Sequence, residues 1–547
     1  MSRMGKTASA HTWSNKLAKL ACSTAASQAN NRVRVLRHSS SPPTRLFHGS
    51  AAANKSGLLS ALLQTAKSNN PITSQWYGQP THETHPHLVA EGEVTPGITA
   101  AEYEARRQRL LSSLPNGSSL VVFSSRMFFV SPHVFHAYRQ DSDFYYLTGW
   151  NEPDSVAIIQ KSQFAERGYT MTLFANPKEP EKELWEGPRN GLEAAVSVFG
   201  ADEARPVGEF ARHASKLLHA FKDQGSGSGC IYADLDDESG LVRSEQCRSF
   251  RNLLKHEGLG SRVQRLATQV QKLRLIKSPA EIRLMREASR ASAAGFKSIM
   301  QGCKPGLSES ALQGYFQSAC QQALVDEEGG RIVADRSALT RPAYVPVFAS
   351  GEHALCMHYV QNSGPVRDGD LILVDAGAEY ASYASDVTRT FPVNGRFSAP
   401  QRDLYSALLS VQEQMIKLCH AASGYSLNEI HRRSTSMLAA ELRQIGFSAS
   451  ARDIDDHLYP HHISHYLGMD VHDTVDMTRS QQLKPNMVVT VEPGVYVPYD
   501  NKFPKAFQGI GIRIEDDIVV GSNADDIENL SVGSPKSVSD IESAMSS

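Results

Sequence analysis

Acidic residues are missing from the first 82 positions of this chain: no Asp or Glu precedes Glu83, while ten Lys and Arg residues do. An Arg- and Ser-rich, acid-free start has the composition of a mitochondrial transit peptide, drawn inward by the membrane potential. The run Arg45-Leu46-Phe47-His48-Gly49-Ser50, with Arg two before an aromatic, fits a presequence processing site. No apolar core follows the basic residues, which excludes a secretory signal; a disordered basic tail is the other reading. Residues 1–55 are therefore expected to be a transit peptide, and the mature protein to reside in the mitochondrial matrix, with peripheral association with the inner membrane as a variant. Cysteine is also scarce: seven residues, an odd number, with no CxxC pair. That excludes a disulfide framework and a thiolate zinc site, and suits a reducing compartment. No unbroken apolar run reaches the roughly 18 residues of a spanning helix. With a net charge of −2, the chain has no general attraction to nucleic acid or anionic membrane.

What is present is enough for two domains: 547 residues, 41% of them hydrophobic and 21% charged. Residues 56–95 read as a polar lead-in broken by Pro71, Pro80 and Pro86. Its His82-Glu83-Thr84-His85-Pro86-His87 lacks HExxH spacing and contains a proline, so a linker is the better reading than a metal site. From 96 to 265 the pattern is α/β. A helical stretch, YEARRQRLLSSL, is followed by β-rich SLVVFSS, FYYLTGW, SVAIIQ and YTMTLFA, and then by helical EFARHASKLLHAF. GSGSG at 225–229 reads as a loop, since no Lys-Ser/Thr follows it. A linker spans 266–278. Ser278-Pro279-Ala280-Glu281 then opens a helix with a capping box, and Ser426 with Glu429 opens another. Further helices start near Ser308 and Ala399. Between them lie β segments, so residues 279–522 are expected to be α+β, with helices around a curved, mainly antiparallel sheet. Residues 523–547 form a polar tail that flanks the domain.

The chemistry lies in this second half. DLILVDAG runs from apolar residues into Asp375, and Asp386 follows eleven residues later in YASDVTRTF, a spacing that fits a hairpin placing both carboxylates side by side. Each alone is most simply a turn former. HHISHYLGMDVHD supplies His461, His465 and His472; MVVTVEPG ends a strand on Glu492; GIGIRIEDD puts Arg513 and Glu515 on one strand face, opposite Ile512 and Ile514. Inward carboxylates are costly unless paired or bound to metal, and four of them repel one another. Two divalent cations resolve this, and oxygen-rich ligands with one imidazole favour Mn²⁺-like ions. Such a pair is a known device for activating water and stabilising a tetrahedral oxyanion.

The run DLILVDAGAEYASYASDVTRTFPVNGRFS, with HISHYLGMDVHD, TVEPGVYV and GIRIEDD, resembles the creatinase and aminopeptidase P group of metallopeptidases, whose catalytic half is a "pita-bread" fold. The likeness extends from about 95 to about 520. RQDSDFYYLTGW is similar to the N-terminal domain of aminopeptidase P proteins. Together with the leader it points to mitochondrial Xaa-Pro aminopeptidases, including the type that trims one residue from processed precursors. The resemblance implies that Asp375 holds one metal near the substrate amine, that Asp386 and Glu515 bridge two metals, and that His465 and Glu492 hold the second. It further implies that Glu492 is the general base, and that His358 and His472 contact the scissile amide and the oxyanion. His461 would line the proline pocket, with Tyr496 and Arg513 beside the ligands; a structural salt bridge is an equal reading for Arg513. Trp185, in ELWEGPRNG, would lie on a loop reaching a neighbouring subunit of a homo-oligomer. The expected substrate is a peptide or protein N-terminus.

Two other activities use the same ligands, an Xaa-Pro dipeptidase and a methionine aminopeptidase; the latter lacks this N-terminal domain. A non-catalytic binding module is the alternative from another class, and such modules lose metal ligands that are all present here.

Overall fold

The computed structural model describes residues 77–223, 229–235, 244–328 and 331–547. The basic leader 1–55, the lead-in up to 76 and most of the GSGSG run lie outside the described residues.

In the first half a six-stranded mixed sheet runs in the order Val263–Gln264, Ile231–Tyr232, Ser119–Phe123, Val156–Lys161, Tyr169–Ala175, Glu203–Pro206. Its three long central strands are antiparallel and the outer ones parallel to their neighbours. Side-chain alternation divides Ser119–Phe123 between two cores. Val121 and Phe123 pack under the helices Phe210–Asp223 and Glu245–Glu257. Leu120 and Val122 face the other way, into a core continuous with the second half.

One segment departs from its sequence pattern. FYYLTGW, expected to be a strand, lies largely within the helix Ser142–Thr148. The Asp141 carboxylate accepts the N–H of Phe144 at 2.9 Å, and Gly149 closes the other end at φ 70°. A cap at each end of a short buried helix outweighs the β preference of its aromatics.

In the second half the capping boxes Ser278/Glu281 and Ser426/Glu429 both form, starting the helices Pro279–Gly302 and Leu427–Gln444. These helices pack with Glu309–Gln322 and Ala399–Ile416 respectively. The strands they surround pair antiparallel. Leu371–Asp375 lies between Val347–Ser350 and Thr388–Pro392, with Asp375 opposite Thr388. Val488–Val491 pairs with Asp516–Val519, with Val491 opposite Asp516, so Glu492 and Glu515 leave the ladder at the same end. GIRIEDD is not one continuous strand. Gly511–Arg513 pairs with Gly494–Tyr496, and pairing restarts at Asp516 with a different partner. At the break the Glu515 N–H is satisfied by the Thr388 carbonyl at 3.0 Å. Arg513 and Glu515 are nonetheless both buried, as alternation requires.

The two halves meet through charge. Arg139 donates to Glu379 at 2.9 Å and to the Met469 carbonyl at 2.6 Å. The Ser142 hydroxyl donates to Asp470 at 2.7 Å, and Asp143 pairs with Arg274 at 2.6 Å. Buried Arg274 also holds Asp470 at 2.7 Å and touches Asp473, which Lys277 reaches at 3.1 Å. Burial alone would raise the Asp470 carboxyl; Arg274 and Arg139 instead hold it down at about 2. RQDSD in the first half is thus the clamp on the loop between His465 and His472. Removing one member of a buried ion cluster strands the others, at about 3–5 kcal/mol. Arg274→Met is expected to lower the thermal midpoint by roughly 3–5 °C; an unchanged midpoint in a calorimetric scan would show that the cluster carries no such load.

Candidate metal centre

Four carboxylates converge from the end of one strand, at Asp375, and from positions just outside others, at Asp386, Glu492 and Glu515. The Tyr344 hydroxyl lies 2.6 Å from both Asp375 Oδ1 and Asp386 Oδ1, so the two aspartates do come side by side. That hydroxyl has one proton and satisfies one of them at a time. The other Asp375 oxygen receives Arg513 Nη2 at 2.6 Å. Glu515, almost wholly buried, accepts the Thr388 hydroxyl at 2.6 Å, and Thr388 accepts Arg513 Nε at 3.1 Å. His465 Nε2 lies 3.3 Å from Asp386 and 3.6 Å from Glu492.

The histidine's tautomer is decided by its other nitrogen. Nδ1 sits 3.1 Å from the Tyr466 carbonyl, an acceptor, so it carries a proton and Nε2 is turned to the carboxylates. This is the arrangement in which a backbone carbonyl orients an imidazole for a cation. Without a cation the same nitrogen must be protonated: burial pulls His465 down, but the bond to Asp386 and the charge of Glu492 outweigh it and raise it to about 9. Burial and the neighbouring Asp386 charge push Glu515 well above its ordinary range. Burial, only partly offset by His465 and Arg513, pushes Glu492 up to about 7. Asp375 is raised by burial against the pull of Arg513. Asp386 falls below the ordinary range, because its bond to His465 outweighs burial.

Donor chemistry and crowding therefore fit divalent cations. Among the described residues, the group of metal-type ligands whose atoms all lie within 4.8 Å of one another is Asp386, His465 and Glu515. Asp375 and Glu492 border it. The His82–His87 run is in turns and contributes nothing to it.

Around the carboxylates runs a second chain of bonds. Arg513 Nη1 donates to Tyr496 at 2.7 Å, so the Tyr496 proton goes to His461 Nε2 at 3.0 Å. His461 Nδ1 in turn donates to the His462 carbonyl at 3.1 Å. Burial and the Arg513 charge hold His461 down to about 3, a neutral ring. It stands edge-on to both Tyr459 and Tyr496, with centroids 5.1 and 5.6 Å away. Gly494 is required here: a Cβ would lie 2.6 Å from His461 Nε2 and 2.7 Å from the Tyr496 ring. His472 and His358 are both exposed. The His472 ring packs 4.5 Å from that of His465, and His358 is close enough for its charge to help depress His472, after burial and His465. Trp185 stands apart, 84% exposed on the helix Pro180–Glu186.

Sequence reasoning missed Tyr344, Thr388 and Thr490. Thr388 follows Asp386 by two and Thr490 precedes Glu492 by two, so strand alternation alone marks both. Thr490 accepts the His465 N–H at 3.1 Å. Tyr344, 31 residues before Asp375, carries no local signal.

Two family models match the chain: aminopeptidase P, N-terminal domain, over residues 103–224, and metallopeptidase family M24 over 283–522. The chain is 35% identical to intermediate cleaving peptidase 55 of Saccharomyces cerevisiae, over 86% of its own length and 88% of the relative's. It belongs to metallopeptidase family M24. This M24 chain is also 36% identical to Xaa-Pro aminopeptidase 3 of Homo sapiens, covering 90% of itself and 96% of that protein. Its fold matches the crystal structure of Icp55 from Saccharomyces cerevisiae with a TM-score of 0.73 at 33% identity, over 83% of this chain and 99% of that one. It matches zinc-substituted Escherichia coli aminopeptidase P in complex with product with a TM-score of 0.71 at 32% identity, over 82% and 98%. The M24 chain is thus an α+β protein in which an aminopeptidase P N-terminal domain precedes a pita-bread half.

The raised groups set a pH dependence for the metal-free protein. Folded Glu492, Glu515 and His465 keep protons that the unfolded chain releases. Stability gained from them is full below the unfolded pKa values and is lost as pH rises through about 7 and then 9. Metal competes for the same sites and releases those protons. The gap in thermal midpoint between metal-loaded and chelated protein is therefore expected to widen from pH 5 to pH 8, with proton release on Mn²⁺ addition in calorimetry. A constant gap without proton release would mean the cations bind elsewhere.

Proposed function

We propose that this M24 protein is a metal-dependent aminopeptidase that releases the first residue from peptides and proteins with proline in second place. The reading is carried by one observation: four inward carboxylates and an oriented imidazole lie beside a ring-lined wall and two exposed histidines. Asp375, Asp386, His465, Glu492 and Glu515 would hold two divalent ions, Mn²⁺ by the oxygen-rich donor set. Bound there, the metal supplies Lewis acidity that polarises a carbonyl and makes water acidic.

The remaining chemistry belongs to side chains of this chain. Glu492, charged when its neighbours hold metal, takes the proton of the attacking water and delivers it toward the departing amine. Asp375, fixed by Tyr344 and Arg513, faces the free α-amine. His358 and His472, exposed and able to donate, stabilise the developing oxyanion and the scissile amide. His461, neutral and framed by Tyr459 and Tyr496, offers an apolar aromatic wall suited to a pyrrolidine ring. The acid-free leader and a 36% identical relative, the mitochondrial intermediate cleaving peptidase 55 of Arabidopsis thaliana, support action inside mitochondria, in the matrix, where trimming of freshly processed precursor N-termini is the fitting task. Exposed Trp185 supports a homo-oligomer. Among the described residues no helix is long and apolar enough to cross a membrane.

The test uses purified protein lacking the first 54 residues. An Xaa-Pro-Xaa tripeptide, its Xaa-Ala-Xaa analogue, an Xaa-Pro dipeptide and an N-acetylated tripeptide are incubated before and after chelation and Mn²⁺ add-back. Metal-restored cleavage of the free tripeptide with proline is expected, with the acetylated peptide intact. Asp386→Ala and Glu515→Ala should each abolish turnover; either one retaining wild-type rates after stringent metal removal would sink the two-metal reading. Cleavage of the dipeptide alone would reassign the protein as a prolidase.

A further inference from the structure

The carboxyl-terminal segment, marked by composition only as polar, passes directly behind the candidate metal centre. Asp516 follows Glu515 and turns the opposite way, into the protein, where it is fully buried. Five side chains donate to its carboxylate: Arg389 at 2.7 Å, Lys536 at 2.6 Å, Gln412 at 2.9 Å, Ser531 at 2.7 Å and Asn529 at 3.0 Å. Three of the five lie beyond residue 522, where the family match ends. Arg389, itself wholly buried, spends its remaining N–H groups on backbone. Nη1 reaches the carbonyls of Glu515 at 2.5 Å and Thr388 at 3.0 Å, while Nε and Nη2 reach those of Pro535 and Ser534 at 3.0 and 3.2 Å. One guanidinium thus grips the peptide of Glu515 and the tail together.

The tail is fastened on both sides of this grip. Ser531 Oγ accepts the N–H of Asp517 at 3.2 Å, and the Asp517 carboxylate accepts the N–H of Asp386 at 3.1 Å. The Lys536 carbonyl accepts the Tyr405 hydroxyl at 2.6 Å. The helix Val538–Ser546 then buries Ile541 and pairs Glu542 with Arg396 and Arg402. A buried ion cluster is weak support for stability, since apolar replacements often match it. What it fixes is direction. Here the direction is that of residue 515: its carboxylate is held by Thr388 and its carbonyl by Arg389, adjacent residues of one strand.

We propose that Lys536 and Arg389 are positioning residues for Glu515, and that residues 529–537 are a working part of the metal centre that sets its affinity for divalent cations. This rests on the reading of Glu515 as a metal ligand. Support behind a first ring of ligands typically changes metal affinity by about 10–100-fold.

The test measures Mn²⁺ dissociation constants by competition with a fluorescent chelator, together with the thermal midpoint of the metal-free form. Lys536→Met is expected to weaken Mn²⁺ binding by roughly tenfold or more, and Lys536→Arg to stay within about threefold of wild type. Ile541→Ala, which loosens the terminal helix away from Asp516, should lower the midpoint and leave the dissociation constant unchanged. Wild-type affinity in Lys536→Met overturns the proposal, as does Ile541→Ala weakening Mn²⁺ as much as Lys536→Met. Should Lys536→Met not fold, Ser531→Ala, which removes another donor from Asp516, is read by the same criteria. Glu515→Ala separates the two levels. If it binds Mn²⁺ normally, the metal-centre reading itself fails; if it loses Mn²⁺ while Lys536→Met does not, only the role of the tail fails.

Discussion

Mutual repulsion among Asp375, Asp386, Glu492 and Glu515 is the constraint that organises the catalytic half. Four carboxylates in one buried volume, opposed by one guanidinium and one imidazole, do not hold together by their own attraction. Every feature around them either supplies positive charge or removes freedom to move apart. Arg513 binds Asp375 and Thr388; Thr388 binds Glu515; Tyr344 spans the two aspartates. Three of the acid positions end or leave strands, so the ladders aim the carboxylates while the helices outside bury them.

Holding such a cluster needs support from far along the chain. The loop from His465 to His472 is tied by Arg139, Ser142 and Asp143 of the first half through Met469, Asp470 and Arg274. The strand bearing Glu515 is tied by the last twenty residues through Asp516. Neither support touches the reacting region. Both act through acids next to the ligand segments, Asp470 on the histidine side of the centre and Asp516 on the carboxylate side.

Much of this was legible beforehand, for identifiable reasons. Capping boxes at Ser278 and Ser426 are local chemistry, and they formed as local chemistry dictates. The α+β character and the family followed from ordered motifs whose residues sit close in sequence to the strands that carry them. The strand reading of FYYLTGW failed because a capping aspartate and a left-handed glycine decide so short a segment, whereas aromatic content only biases it. GIRIEDD was readable as alternation but not as two ladders, because the change of partner at Glu515 depends on strands 15 to 31 residues away. Tyr344 and Lys536 were invisible for the same reason: their partners lie 31 and 20 residues off, with no periodicity linking them.

The charge clamp between the halves also bears on modularity. Asp470 and Asp473 belong to the catalytic half, yet Arg139 and Asp143, which complete their network with Arg274, belong to the sheet-bearing half. An excised catalytic half would inherit a loop of acids short of a counter-charge, beside histidines that must stay in register. The first half is therefore not an appendage that evolution or a protein engineer can exchange freely. Swapping it demands a replacement that presents an arginine and a capped aromatic turn at the same place, so in this chain the two halves stand or fall together.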